Sequence, residues 1–185
     1  MSNRKLTASI LLIITLSGVG ILAAYLNGLS PDLSQVPPPE NPPGDEKEII
    51  VASNLELWAE AEFWQDFMPL VPPEGPPFHT VVYINITNTG TSTLESFNAP
   101  KMTVYFGDSV DALVTLNLTL GIQTFAPIIV QPGESTVVEY INNRNEIFSP
   151  TLDEGTALYA RVLFQWGVGE EAILTTAPSE LMFTY

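Results

Sequence analysis

A side-chain period of two constrains this chain more than any other feature. In Val81-Val82-Tyr83-Ile84-Asn85-Ile86-Thr87, the residues Val82, Ile84 and Ile86 point to one side while Tyr83, Asn85 and Thr87 point to the other. Val114-Thr115-Leu116-Asn117-Leu118-Thr119-Leu120 repeats the pattern more strictly. Alternation of this kind puts one face of an extended strand on a core and leaves the other in water. A third run, residues 156–166, turns Leu158, Ala160, Val162, Phe164 and Trp166 inward and Arg161 and Gln165 outward. Further strands are expected over 48–52, 101–106, 122–130, 135–142, 171–175 and 181–184. Turns are expected at Asn88-Thr89-Gly90, Gln131-Pro132-Gly133 and Gly167-Val168-Gly169. Short strands at close spacing predict an all-β domain, an immunoglobulin-like antiparallel β-sandwich of about seven to nine strands over residues 48–185.

The stretch 54–64 fits two periods. As a strand it buries Leu55, Leu57, Ala59, Ala61 and Phe63, yet Leu57, Ala61, Trp64 and Met68 also form a helical stripe, and Ala, Glu and Leu favour helix. The strand is the expectation adopted. Its outward face then reads Glu56, Trp58, Glu60, Glu62 and Trp64. Two tryptophans turned to solvent on one strand call for a partner, so Trp58, Glu60 and Trp64 are the candidate partner-binding residues.

Ahead of the domain, residues 6–30 carry no charge and 8–26 are almost continuously apolar. About 20 such residues in a helix cross a hydrocarbon core of ~30 Å. Arg4 and Lys5 precede the run and Asp32 is the first charge after it. Positive charge is retained on the cytoplasmic side, so residues 1–30 are expected to be a signal anchor contacting the lipid bilayer, with the N-terminus in the cytoplasm and the rest of the chain outside the cell. The competing reading is a cleaved secretory signal ending near Ala23-Ala24, which exports the same domain without anchoring it. Residues 31–47 hold six prolines and no apolar period; this extracellular linker favours an extended, polyproline-like stalk over helix or central strand.

After Ser30 there are 4 bases (Lys47, Lys101, Arg144, Arg161) against 21 acids, a formal charge of −17. Such a surface repels nucleic acid and anionic lipid and keeps an exported domain soluble. Cysteine is absent, which removes disulfides, thiolate ligands and a cysteine nucleophile. His79 is the one histidine, too few nitrogen ligands for zinc or copper, and it is read as a loop residue at the start of a strand. No nucleophile elbow accompanies Ser92 or Ser135, and no Asp-x-Asp-x-Asp-Gly loop accompanies acid pairs such as Asp108 and Asp111. No catalytic residue, metal or cofactor is expected.

Ile84-Asn85-Ile86-Thr87-Asn88-Thr89-Gly90, Val130-Gln131-Pro132-Gly133-Glu134-Ser135 and Ala160-Arg161-Val162 together resemble the immunoglobulin-like domains of the CARDB type in surface proteins of archaea and bacteria. The resemblance covers roughly residues 81–166 and rests on turn chemistry. It implies a sandwich used for adhesion, spacing or assembly, and supplies no catalytic residues. Asn85-Ile86-Thr87 and Asn117-Leu118-Thr119 are N-glycosylation sequons, and alternation places both asparagines outward.

The resulting expectation is a non-catalytic, membrane-anchored extracellular module that contacts an envelope protein, a membrane complex or another copy of itself. Two other readings compete with it. A filament subunit of archaellin or pilin type also joins an apolar helix to a β-domain, but Pro37 to Pro43 interrupts such a helix here and no Lys/Arg-Gly peptidase site precedes it. A carbohydrate-binding module would rest on Trp58 and Trp64.

Overall fold

The computed structural model describes residues 41–44, 46–52, 54–67, 71–121, 127–142 and 148–185. The helix expected over 1–30 and most of the linker expected over 31–47 lie outside them. Among the described residues no helix is long and apolar enough to cross a membrane.

Eleven strands follow in order: β1 (Ile50–Ala52), β2 (Leu55–Asp66), β3 (Phe78–Asn88), β4 (Leu94–Glu95), β5 (Asn98–Phe106), β6 (Ala112–Leu120), β7 (Ile129–Val130), β8 (Ser135–Asn142), β9 (Ala157–Trp166), β10 (Glu170–Thr175) and β11 (Ser179–Thr184). The stretch that fitted two periods is strand β2, with burial alternating strictly along it. Its helix-favouring Ala, Glu and Leu are overridden by pairing on both edges: β3 covers one from Leu55 to Gln65, and β1 and β11 divide the other. Of the strand expected over 122–130, only β7 forms among the described residues, paired with β4. Two-residue strands carry no period, so β4 had no signal to read.

The strands close on themselves. Neighbour follows neighbour in the order β2, β11, β9, β5, β6, β8, β3 and back to β2. β1 is added on β2, β10 on β9, and β4 with β7 forms a separate ribbon. This corrects the expected immunoglobulin-like antiparallel β-sandwich over 48–185: the described residues form a closed seven-stranded β-barrel with extra strands, and one of its pairings, β2 with β11, is parallel.

Two strands that divide their hydrogen bonds bring about the closure. β6 pairs with β5 from Ala112 to Asn117 and then with β8 from Leu118 to Leu120. β11 pairs with β9 at Ser179 and Glu180 and then with β2 from Leu181 to Thr184. Side chains alternate inward and outward identically in a sandwich and a barrel, so alternation cannot tell them apart. The choice lies in long-range pairing.

The core inside the ring takes Leu57, Ala59 and Phe63 from β2, Val82, Ile84 and Ile86 from β3, Met102 and Val104 from β5, Leu116 and Leu118 from β6, Val138 and Tyr140 from β8, and Leu158, Val162 and Phe164 from β9. Gln65 ends the inward row of β2; its Nε2 donates to the carbonyls of Pro76 (3.1 Å) and Pro150 (2.9 Å). The proline-rich loop before β3 is poor in donors of its own, and this amide supplies one.

The two turns behind the CARDB resemblance meet in space. Asn88, fully buried at the end of β3, donates through Nδ2 to the carbonyls of Ser92 (2.8 Å) and Val130 (2.9 Å) and accepts from the Gly90 amide (2.9 Å) at Oδ1. Its backbone carbonyl accepts from Gly133, which holds φ at +76°. Asn88 thus ties the Asn-x-Gly turn to the Pro-Gly-Glu turn and to β7.

Tyr140 is also interior, and its hydroxyl has no hydrogen-bond partner. Burial pushes its pKa up to about 12, and the nearby Ala99 backbone, short of hydrogen-bond geometry, lowers it only in part. Below pH 10 the proton is held in both folded and unfolded chains. Between about 10 and 12 the unfolded chain gives it up first, so stability falls as pH rises, by roughly 2–3 kcal/mol for this group. Tyr140→Phe is expected to equal or exceed the parent's stability at neutral pH. It should also lose less stability between pH 8 and 11 in urea unfolding; parallel losses in both proteins would contradict the assignment.

Candidate binding face

Strands β2, β3 and β8 form one wall of the barrel, and their registers determine which outward side chains meet. Trp58 stands opposite Asn85, which stands opposite Val137. In the next row Glu60, Tyr83 and Glu139 lie side by side, followed by Glu62, Val81 and Ile141. Trp64 then pairs with His79, and Asp66 ends the strand. The wall is therefore a strip of aromatic and aliphatic side chains bordered by carboxylates. Val137 is 55% exposed at one end, whereas Val81 is buried beneath its long neighbours.

Lys47 lies against this strip. The pairing of Ile50 with Leu57 runs antiparallel, so continuing it back along the chain brings Lys47 beside Glu60. Its Nζ sits 3.3 Å above the centre of the Trp58 ring and 3.3 Å from Glu60 Oε1. Both ionic groups remain substantially exposed, so the contact is a weak tether of the pre-β1 segment.

Farther along β2 the wall is hollowed. Glu62, Trp64, Asp66, His79, Thr80, Val81, Tyr83, Glu139, Ile141 and Asn142 line a cleft of about 530 Å³. The Trp64 and His79 rings stack there with centroids 5.6 Å apart. Asn142 shapes its floor: Oδ1 accepts from the Thr80 amide (3.0 Å) and Nδ2 donates to the Phe78 carbonyl (3.3 Å). A second hollow of about 200 Å³ lies across Glu60, Glu62 and Tyr83 from Ala177, Pro178 and Ser179. Tyr83 belongs to both. Its pKa is raised, first by burial and then by the negative charges of Glu62 and Glu139. Only the smaller contributions to that shift, those of Glu62 and Glu139, reflect negative charge around the ring; the larger one is the loss of solvation.

The structure brings Trp58, Glu60 and Trp64 onto one face, with Trp58 under Lys47 and Trp64 in the cleft. Asn85 is outward but half-buried in the row of Trp58 and Val137, while Asn117 is exposed on β6. His79 is the second residue of β3 and stacks on Trp64, which replaces its expected place in a loop. Lys47, Tyr83, His79 and Glu139 join the site only through strand register. Among the described residues no group of three or more His, Asp or Glu is gathered to hold a metal ion.

No family model matches the chain. No curated protein matches it. Among solved structures it is similar to one titled "X-ray structure of Northeast Structural Genomics Consortium target SoR45", at 14% identity over 70% of this chain and 86% of that one, with a TM-score of 0.33.

Proposed function

We propose that this chain is a non-catalytic binding or structural module, held outside the cell by the apolar segment 6–30, whose protein partner in the envelope or membrane docks on the outer face of β2, β3 and β8. The observation that carries this reading is that Trp58, Trp64 and Tyr83 are turned outward on one wall and bordered by Glu60, Glu62 and Glu139. Aromatic anchors inside a polar rim are the usual make-up of a protein contact. The turn chemistry shared with CARDB domains favours a spacing or assembly role, although the closed barrel departs from the sandwich that the resemblance implies. Asn85 and Asn117 are proposed glycan acceptors, with Asn117 the more open; a native intact mass equal to that of the bare polypeptide would remove them.

Affinity purification of the detergent-solubilised full-length chain tests the docking reading. A defined partner is expected with the parent and lost with the Trp58→Ala, Trp64→Ala double variant. Equal recovery from both would overturn it. A sugar-binding reading has one observation in its favour, the position of Trp64 at a cleft that also holds Glu62 and Asn142; it requires neutral glycan binding that disappears in Trp64→Ala.

A further inference from the structure

The chain's own lysine indicates what this face accepts. Lys47 places its ammonium over Trp58 and beside Glu60, an aromatic ring and a carboxylate two residues apart on one strand face. A ring and a carboxylate two residues apart recur immediately along β2 in the reverse order, Glu62 before Trp64, with His79 stacked against the Trp64 ring and Tyr83 flanking Glu62 in both hollows. Successive outward residues on a strand lie about 7 Å apart. An extended chain laid along the wall would repeat its side chains at that interval. Among the described residues the other Lys and Arg side chains, Lys101 and Arg161, stand on β5 and β9, away from this wall. The domain as a whole is strongly acidic.

We infer that the β2–β3–β8 face docks an extended, basic segment of a partner protein, with one lysine or arginine cation held beside Glu62 against the side of the Trp64 ring that His79 does not cover, making the ring and carboxylate contacts that Lys47 makes with Trp58 and Glu60. This rests on the docking face proposed above and names the chemistry of its partner. The cation gains ring and carboxylate contacts together, and both weaken as salt rises. The aliphatic stem of the basic residue would lie against Tyr83.

The probe is a short peptide of alternating lysine and alanine, dye-labelled, titrated against the full-length chain in neutral detergent micelles and read by fluorescence anisotropy. Binding is expected for this peptide and not for its glutamate counterpart. Glu62→Gln and Trp64→Ala should each weaken it by roughly 3- to 30-fold. The double variant Glu170→Gln, Glu171→Gln, altered on β10, should leave it unchanged. Glu62→Gln alters an exposed side chain and keeps its shape, so it remains informative if Trp64→Ala fails to fold. No binding, or an equal loss in the β10 variant, would overturn the inference. A native partner that requires Trp58 and Trp64 but is not displaced by the lysine peptide would also overturn it, while leaving the docking face in place.

Discussion

Replacing Asn88 with alanine is expected to destabilise the domain by about 2–4 kcal/mol. The side chain is fully buried and makes three hydrogen bonds, to the carbonyls of Ser92 and Val130 and from the amide of Gly90. Alanine removes all three and leaves their partners unpaired, and the Val130 carbonyl has no ready access to water because that bond is buried. Asn88→Asp should cost at least as much, because it keeps an acceptor for Gly90 but sets a carboxylate oxygen against two carbonyls. Urea midpoints for the parent and both variants measure this. A loss below about 0.5 kcal/mol in Asn88→Ala would mean that backbone bonding alone holds the two turns together.

Removing Ser179–Tyr185 is expected to have the larger effect and to abolish cooperative unfolding altogether. β11 is the strand that joins β9 to β2 and so closes the barrel. It places Leu181 in the core, and Ser179 Oγ donates to the Ala61 carbonyl. Without it, buried backbone groups of β2 from Phe63 to Asp66 lose their partners and the core opens along one side. In an open sandwich the same deletion would strip an edge strand and leave a folded remainder of lower stability. A sharp thermal transition and dispersed amide signals in the truncated protein would therefore contradict a closed ring.

Much of this architecture can be read locally. Strands β3, β6 and β9 announce themselves by alternation because the two-residue period is a property of each segment alone, and β8 falls on the expected 135–142; β2 carries the same alternation but shares it with a helical stripe, so its pairing decides it. Closure is not local. It depends on β6 and β11 each changing partner midway, and nothing in Leu118-Thr119-Leu120 or Leu181-Met182-Phe183 differs in composition from a strand that keeps one partner. β4 and β7 are too short to show a period.

The candidate site divides in the same way. Trp58, Glu60 and Trp64 follow from one strand's outward face. Lys47 arrives through the β1 register, Tyr83 and His79 through β3, and Glu139 through β8. Sequence reading finds such residues only after pairing has been assigned. His79 illustrates the point: a lone histidine beside a proline-rich stretch looks like a loop residue until Trp64 is found across from it.

The most direct measurement for the proposed docking face is site-specific photo-crosslinking in intact cells, with a photoreactive residue placed at Glu60 of the full-length chain in one experiment and at Glu171 in another. Glu60 lies on the β2–β3–β8 wall and Glu171 on β10, outside that wall. A discrete protein adduct from position 60, with none from position 171, is the predicted result; no adduct from position 60, or the same adduct from both, would contradict it.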